Sequence, residues 1–305
     1  MAPVYNVAVI QLHPKPMQVE SNFRKAEEFI RSAASQGAEL AVLPEYHLTN
    51  WVPQDPGFKE ACRHWKTYLD RYRALAKECK IAIVPGTIIE LHTDDTHDST
   101  GITEGEEDND RLLNVAYFID ASGEILGKYV KKNLWGSIER LHLTSSTRDP
   151  HPVFDTPFGK VGMLICWDLA FPEAFREMIA QGAKLFIIPT FWTLSDCSPE
   201  GLALNPVAEK LFLDSMLTAR CFENTCAIIF ANAGGPPGKG YAGISQVCVP
   251  YVGPLVRLGG CTEGMAVARL DMGIVEAAEA NYQVRADLAK GDWHYDYRHS
   301  NDSKL

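Results

Sequence analysis

Val161-Gly-Met-Leu-Ile-Cys166-Trp-Asp-Leu-Ala-Phe-Pro-Glu173 is the stretch on which the reading of this chain turns. Val161 to Ile165 is an apolar run of strand-like composition that stops at Cys166. Trp167, Asp168 and Phe171-Pro172-Glu173 follow, and then a helical pattern through Ala174, Phe175, Met178 and Ile179. A thiol at a strand-to-helix turn faces the free N–H groups of the coming helix. These favour an anion, so the expectation is a thiol pKa below the usual cysteine value. The competing reading is an inert, buried structural cysteine. Which one holds depends on whether the rest of the chain brings a base and a charge to that turn.

Working outward, apolar runs and helical periodicities alternate on both sides. Val4 to Leu12 reads as a strand, residues 21–34 as a helix, and Glu39 to Leu43 as a short strand cut by Pro44 and followed by Glu45. Phe58 to Lys80 reads as one long helix, and Ile81 to Leu91 as a strand interrupted by Pro85-Gly86. Arg111 to Ile119 and Glu124 to Val130 form a hairpin around Asp120-Ala-Ser-Gly123. Its second strand runs into Lys131-Lys132, which point to opposite faces in an extended chain, so one of the two lysines faces inward. Residues 135–149 read as loop. Val153 to Thr156 pairs with Lys160 to Ile165, and Lys184 to Pro189 is a strand leading to Thr190-Phe191-Trp192. Asn205 to Phe222 reads as a helix, Cys226 to Ala231, Ile244 to Val252, Leu255 to Leu258 and Met265 to Leu270 as strands, and Gly273 to Ala280 as a short helix. This alternation indicates α/β layering in a single domain over residues 1–290, with no composition break that marks a linker. A polar and aromatic tail, 291–305, is expected to fray or to dock on a neighbour.

With 305 residues and 46% hydrophobic content, the chain can bury a sizeable core. The net charge of -10 is concentrated: the acidic segment 92–110 carries eight carboxylates and no Lys or Arg, which leaves the remainder close to balance. The segment reads as a solvated insertion between two strands. No basic stripe suggests nucleic acid, and no apolar stretch of membrane-spanning length or signal peptide is seen. The eight cysteines form no C-x-x-C pair and no zinc spacing with histidine, so free thiols in a reducing, cytoplasmic compartment are expected. His92 and His97 in the acidic segment read as chance spacing rather than a metal site.

Three strands therefore end in Glu45, a lysine and Cys166, and layered α/β folds collect their sites at carboxyl strand ends. A desolvated carboxylate is a useful base, and an ammonium beside a thiol favours the thiolate and holds an oxyanion. Glu, Lys and Cys together make an acyl-transfer site without histidine. No histidine stands in a partner motif of the papain type.

At this point the chain resembles the carbon–nitrogen hydrolase (nitrilase) superfamily over nearly its full length. Leu43-Pro44-Glu45 is similar to its glutamate motif, and Gly127-Lys-Tyr-Val-Lys131-Lys-Asn-Leu134 to its lysine motif, which selects Lys131 over Lys132. Cys166-Trp167-Asp168 with Phe171-Pro172-Glu173 is similar to the cysteine motif, and Ala219-Arg220-Cys221-Phe222-Glu223-Asn224 to a later helix end. Asn133 stands where the family usually has histidine. The resemblance implies an α-β-β-α sandwich that dimerises into an α-β-β-α-α-β-β-α arrangement. It implies Glu45 as base, Cys166 as nucleophile, Lys131 and the backbone N–H of Trp167 as oxyanion donors, and Glu139 as a second glutamate that helps place substrate and base. No metal or organic cofactor is implied. Cys-Trp-Asp favours the amidase and carbamoylase branches, with nitrile hydrolysis the alternative suggested by Glu139-Arg140 and a catalytically idle scaffold a third reading. Trp135, Trp167, Phe171, Phe191 and Trp192 are expected to lie near the site, either lining an apolar acyl pocket or serving as core or dimer interface.

Overall fold

The computed structural model describes residues 2–93 and 110–290. The sequence elements appear in the expected order. The chain runs β1 (Val4–Gln11), α1 (Val19–Ser35), β2 (Leu40–Val42), α2 (Phe58–Arg63), α3 (Trp65–Cys79), β3 (Ala82–Val84), β4 (Thr87–Thr93), β5 (Asp110–Ile119) and β6 (Ile125–Val130). It continues with α4 (Gly136–His142), β7 (Val153–Thr156), β8 (Gly159–Met163), a 3-10 turn (Cys166–Ala170), α5 (Pro172–Ala180), β9 (Leu185–Thr190), α6 (Pro199–Leu204) and α7 (Ala208–Asn224). β10 (Ala227–Asn232), β11 (Gln246–Val249), β12 (Gly253–Arg257), β13 (Gly264–Asp271), α8 (Met272–Tyr282) and α9 (Val284–Ala289) complete it.

Among the described residues the strands form two sheets. One runs β13-β1-β2-β3-β5-β4, with β6 also on β5; the other runs β12-β11-β10-β9-β8-β7. The period-2 alternation of the strands explains the layering. In β1, Val7 and Val9 face one core while Ala8 and Ile10 face another; in β3, Ala82 and Val84 are divided from Ile83 in the same way. The first set packs in the same core as Ile187, Ile229 and Met163 of the second sheet. The second set packs on Ala26, Ile30, Tyr72 and Leu75 of α1 and α3. The outer face of the second sheet is covered from α5 and α7 by Phe175, Met178, Leu213 and Leu217. A strand buried on both faces reads as a continuous apolar run, which is why β2, β9 and β10 lack alternation in the sequence. The result is the expected α-β-β-α sandwich.

Several expectations are corrected. The helix read over 58–80 breaks at His64 into α2 and α3. The helix read from Asn205 begins at Ala208, after a separate α6 whose start is capped by the Ser198 hydroxyl accepting from Gly201 N. Residues 135–149 are not all loop: α4 occupies Gly136–His142, a helix of two turns and too short to print a periodicity. α9 was not anticipated. The tail 291–305 and all but the edges of the acidic segment lie outside the described residues, as does His97.

Candidate active site

β2 ends at Val42, and Leu43-Pro44 lead into the turn that carries Glu45 into the space between the sheets. The loop after β3 must pass this turn closely. Gly86 has φ +64°, and a Cβ there would sit 1.8 Å from the Pro44 carbonyl oxygen, so only glycine fits. Glu45 N donates to Thr190 O on the second sheet at 3.3 Å, which ties the two sheets together at these strand ends. The Glu45 carboxylate is fully buried. Oε1 accepts from Asn114 Nδ2 at 2.7 Å and from Lys131 Nζ at 2.9 Å, and Oε2 accepts from Phe191 N at 2.9 Å. Burial pushes its pKa up to about 7, against the pull of Lys131 and with a further push from Glu139.

Lys131 leaves the end of β6, its N–H donating to Asn114 O at 2.9 Å. Its fully buried ammonium bridges Glu45 and Glu139, 2.8 Å from Glu139 Oε1. Burial acts against the ammonium, but the two carboxylates outweigh it and the pKa is raised. α4 delivers Glu139, whose Oε1 also accepts from Tyr46 OH at 2.5 Å and whose Oε2 accepts from Trp135 N at 2.6 Å. Opposite faces do not leave one of the two lysines in solvent. Lys132 is also buried, its Nζ donating to the carbonyls of Ser146 (2.7 Å) and Asp149 (2.5 Å), because residues 145–149 fold over the strand end.

Cys166 follows β8 at a sharp turn with φ +49°, a left-handed conformation that costs a non-glycine residue about 1–3 kcal/mol. Asp168 holds the turn. Fully buried, it accepts at Oδ2 from Ile165 N (2.9 Å) and Tyr129 OH (2.8 Å), and at Oδ1 from Asn133 N (2.9 Å) and Asn133 Nδ2 (2.8 Å). The cysteine turn is thus tied to the segment just after Lys131. The thiol, 3.8 Å from Phe191 O, lies within electrostatic reach of Glu45, Lys131 and Glu139. The expectation of a lowered thiol pKa is overturned. Burial raises it well above the usual value, Glu45 raises it further, and Lys131 only partly offsets them. Cys166 opens a 3-10 segment that runs to Ala170 and separates it from α5, so the expected α-helical N-terminus is not at the sulfur.

The structure brings Glu45, Lys131, Glu139 and Cys166 into one buried cluster. The aromatic residues divide. Trp135, Trp167 and Trp192 gather with Phe212, with centroids 4.4 Å (Trp135–Trp167), 5.4 Å (Trp167–Trp192) and 5.4 Å (Trp192–Phe212) apart. Phe171 meets Trp167 edge-on. The Phe191 ring lies apart from that stack, against Tyr46 and Tyr241. Sequence reasoning missed Asn114, Tyr46 and the Asn133–Asp168 clamp. Asn114 did leave a signal, as the one amide inside the apolar run Leu112-Leu113-Asn114-Val115-Ala116. His47, two residues from Glu45, is bonded to the Tyr72 hydroxyl at 2.6 Å, and burial lowers its pKa to about 3, so it is neutral.

Comparison with known proteins follows the same lines. The carbon-nitrogen hydrolase family profile matches residues 6–280. A 2-oxoglutaramate amidase from Bacillus subtilis is 26% identical over 92% of this chain and 95% of its own length. A nitrilase from Pyrococcus abyssi is 28% identical over 90% and 93%. Among solved structures, an amidase from Nesterenkonia sp. AN1, with acrylamide added to its active-site cysteine, superposes with a TM-score of 0.70. It is 25% identical over 94% of this chain and 99% of that one. Two packed sheets flanked by helices, a buried carboxylate–ammonium–thiol cluster at their strand ends and a profile match over most of the sequence agree: the chain belongs to the carbon-nitrogen hydrolase family.

Proposed function

We propose that the protein hydrolyses the carbon–nitrogen bond of a small amide through a thioester on Cys166. The observation that carries this reading is the buried Lys131 ammonium, which bridges Glu45 and Glu139 within electrostatic reach of the thiol. Glu45 takes the thiol proton as sulfur attacks the amide carbon; with the resting thiol neutral, the two events coincide. Lys131 and the Trp167 N–H stabilise the oxyanion. Collapse breaks the C–N bond, and the proton on Glu45 passes to the departing nitrogen to give ammonia or an amine. Glu45 then takes a proton from water as the water oxygen attacks the thioester. The C–S bond breaks, the carboxylic acid leaves, and the proton returns to sulfur. Glu139 fixes the Lys131 ammonium through the shared hydrogen bond and faces the same centre. Trp135, Trp167, Phe191 and Trp192 are proposed to bound the substrate.

Incubating the protein with a panel of amides, N-carbamoyl compounds and nitriles, with mass spectrometry of Cys166 and ammonia release, tests this. Acyl adducts and acid from amides, both lost in Cys166→Ala and Glu45→Gln, are expected. Acid from nitriles with no turnover of amides would replace the reading by the nitrilase one, which the Pyrococcus relative favours. All eight cysteines carry free thiols, which supports a reducing, cytoplasmic setting. Among the described residues no helix is long and apolar enough to cross a membrane.

A further inference from the structure

Asn114 stands on the face of β5 that carries Ala116 and Phe118 into the core between the sheets, while Val115 and Tyr117 turn to the core under the helices. It is buried, and it touches two members of the catalytic cluster at once. Its backbone carbonyl accepts from Lys131 N at 2.9 Å, and its side-chain Nδ2 donates to Glu45 Oε1 at 2.7 Å. The other end of the amide, Oδ1, is buried and has no partner among the described residues. An amide buried with one end unsatisfied costs stability, so strand packing alone does not account for an asparagine here. The bond to Glu45 does.

That bond makes the two oxygens of the carboxylate unequal. A carboxylate oxygen offers two lone pairs. At Glu45 Oε1 both are taken, by Asn114 Nδ2 and by Lys131 Nζ at 2.9 Å. Oε2 accepts from Phe191 N alone, at 2.9 Å, and keeps one lone pair open. The carbonyl of the same Phe191 lies 3.8 Å from the Cys166 sulfur. One residue's backbone thus touches both the open oxygen and the thiol. Without Asn114, each oxygen would hold one donor and one open lone pair.

We propose that Asn114 is a positioning residue for the proton transfer: together with Lys131 it fills Glu45 Oε1 and so directs the Cys166 proton to Oε2. The S–H bond breaks, an O–H bond forms at Oε2, and the sulfur electron pair goes to the substrate carbon. The proposal rests on Glu45 acting as base in the amidase reading. The titratable groups around the carboxylate are Lys131 after β6, Glu139 on α4, Tyr46 beside it in the chain and Cys166. Replacing Asn114 changes the charge of none of them. A hydrogen bond donated to the ionised carboxylate lowers its pKa, so loss of the Asn114 donor raises it.

The test is Asn114→Leu, which keeps the side-chain size, removes the donor and leaves the backbone bond to Lys131 in place; Asn114→Ala serves where leucine prevents folding. With a small aliphatic amide, kcat should fall about tenfold or more with little change in KM. The acid limb of the kcat/KM profile should move up by about one pH unit. A purely structural role lowers stability and leaves the limb where it was, so an unmoved limb overturns the proposal. Infrared difference titration reads the same carboxyl without turnover. The protonated-acid band that is lost in Glu45→Gln should titrate at higher pH in Asn114→Leu than in the unmodified chain. That shift supports the positioning role even where no amide is hydrolysed, and identical titrations reject it whatever the substrate.

Discussion

At the scale of single residues, the site is three charges sharing one buried space. Lys131 is the hinge of this arrangement, because Glu45 and Glu139 are both tied to its ammonium. Removing it leaves two carboxylates facing each other without a counter-charge. Lys131→Ala is therefore expected to abolish turnover and to lower stability by about 3–5 kcal/mol, as for other broken buried ion pairs. Urea unfolding of the variant measures the second effect, and a loss below about 1 kcal/mol would show that the pair is effectively solvated. Glu45 sets the pH dependence. With its carboxyl pushed up to about 7, it is protonated below that pH and cannot accept the thiol proton; above it, the base is available. The kcat/KM profile of the free enzyme should fall about tenfold per pH unit on the acid side, with its limb near 7. A limb near the ordinary glutamate value of 4.5 would rule out this desolvated base.

At the scale of elements, function depends on how strand ends are held together. Asp168 joins the cysteine turn to Asn133 and Tyr129 through three hydrogen bonds and accepts a fourth from Ile165 N within the turn. Asp168→Asn presents an amide donor to at least one pair of those donors. It should lower kcat about 10- to 100-fold, the scale on which small displacements of reacting groups act, with a smaller change in KM and slower alkylation of Cys166 by iodoacetamide. Unaltered kcat and alkylation would reduce the clamp to a packing detail. Gly86→Ala forces a Cβ into the Pro44 carbonyl and strains a left-handed φ. A stability loss of at least about 1–3 kcal/mol is expected in thermal or urea unfolding, together with reduced activity, because the turn bearing Glu45 must move. The sequence disclosed the strand ends well: Glu45, Lys131 and Cys166 each follow an apolar run, and the structure gathers them in one buried cluster. It disclosed the helix that brings Glu139 poorly, since seven residues give no usable periodicity. It disclosed the thiol's protonation wrongly. Local reasoning sees a helix start, whereas the balance is decided by burial and by carboxylates from the turn after β2 and from α4 that are distant in sequence. Lys132 fails for the same reason, because its lid comes from residues 145–149.

At the scale of the whole molecule, two helices that carry or touch the site also expose large apolar side chains. Leu204 is 89% and Leu211 60% exposed at the α6–α7 junction, and Leu141 is 76% exposed on α4. Leu141 shares α4 with Glu139, and Leu211 neighbours Phe212, which stacks on Trp192. Exposed leucines at the start of α7 are candidates for a contact surface. We propose that a second copy of the chain covers the α7 face, in keeping with the dimeric arrangement that the family resemblance implies. The helices it would press on are the ones that position Glu139 and the tryptophan cluster, so assembly and activity should be linked. Light scattering after size exclusion should give the mass of a dimer or a higher assembly for the unmodified chain. Leu211→Glu, which places a carboxylate in that face without touching the buried core, should shift the mass to one protomer at micromolar concentration and lower kcat. A protomer mass for the unmodified chain excludes the dimer at that concentration. A monomeric Leu211→Glu protein with undiminished kcat would show instead that a single protomer holds the site by itself.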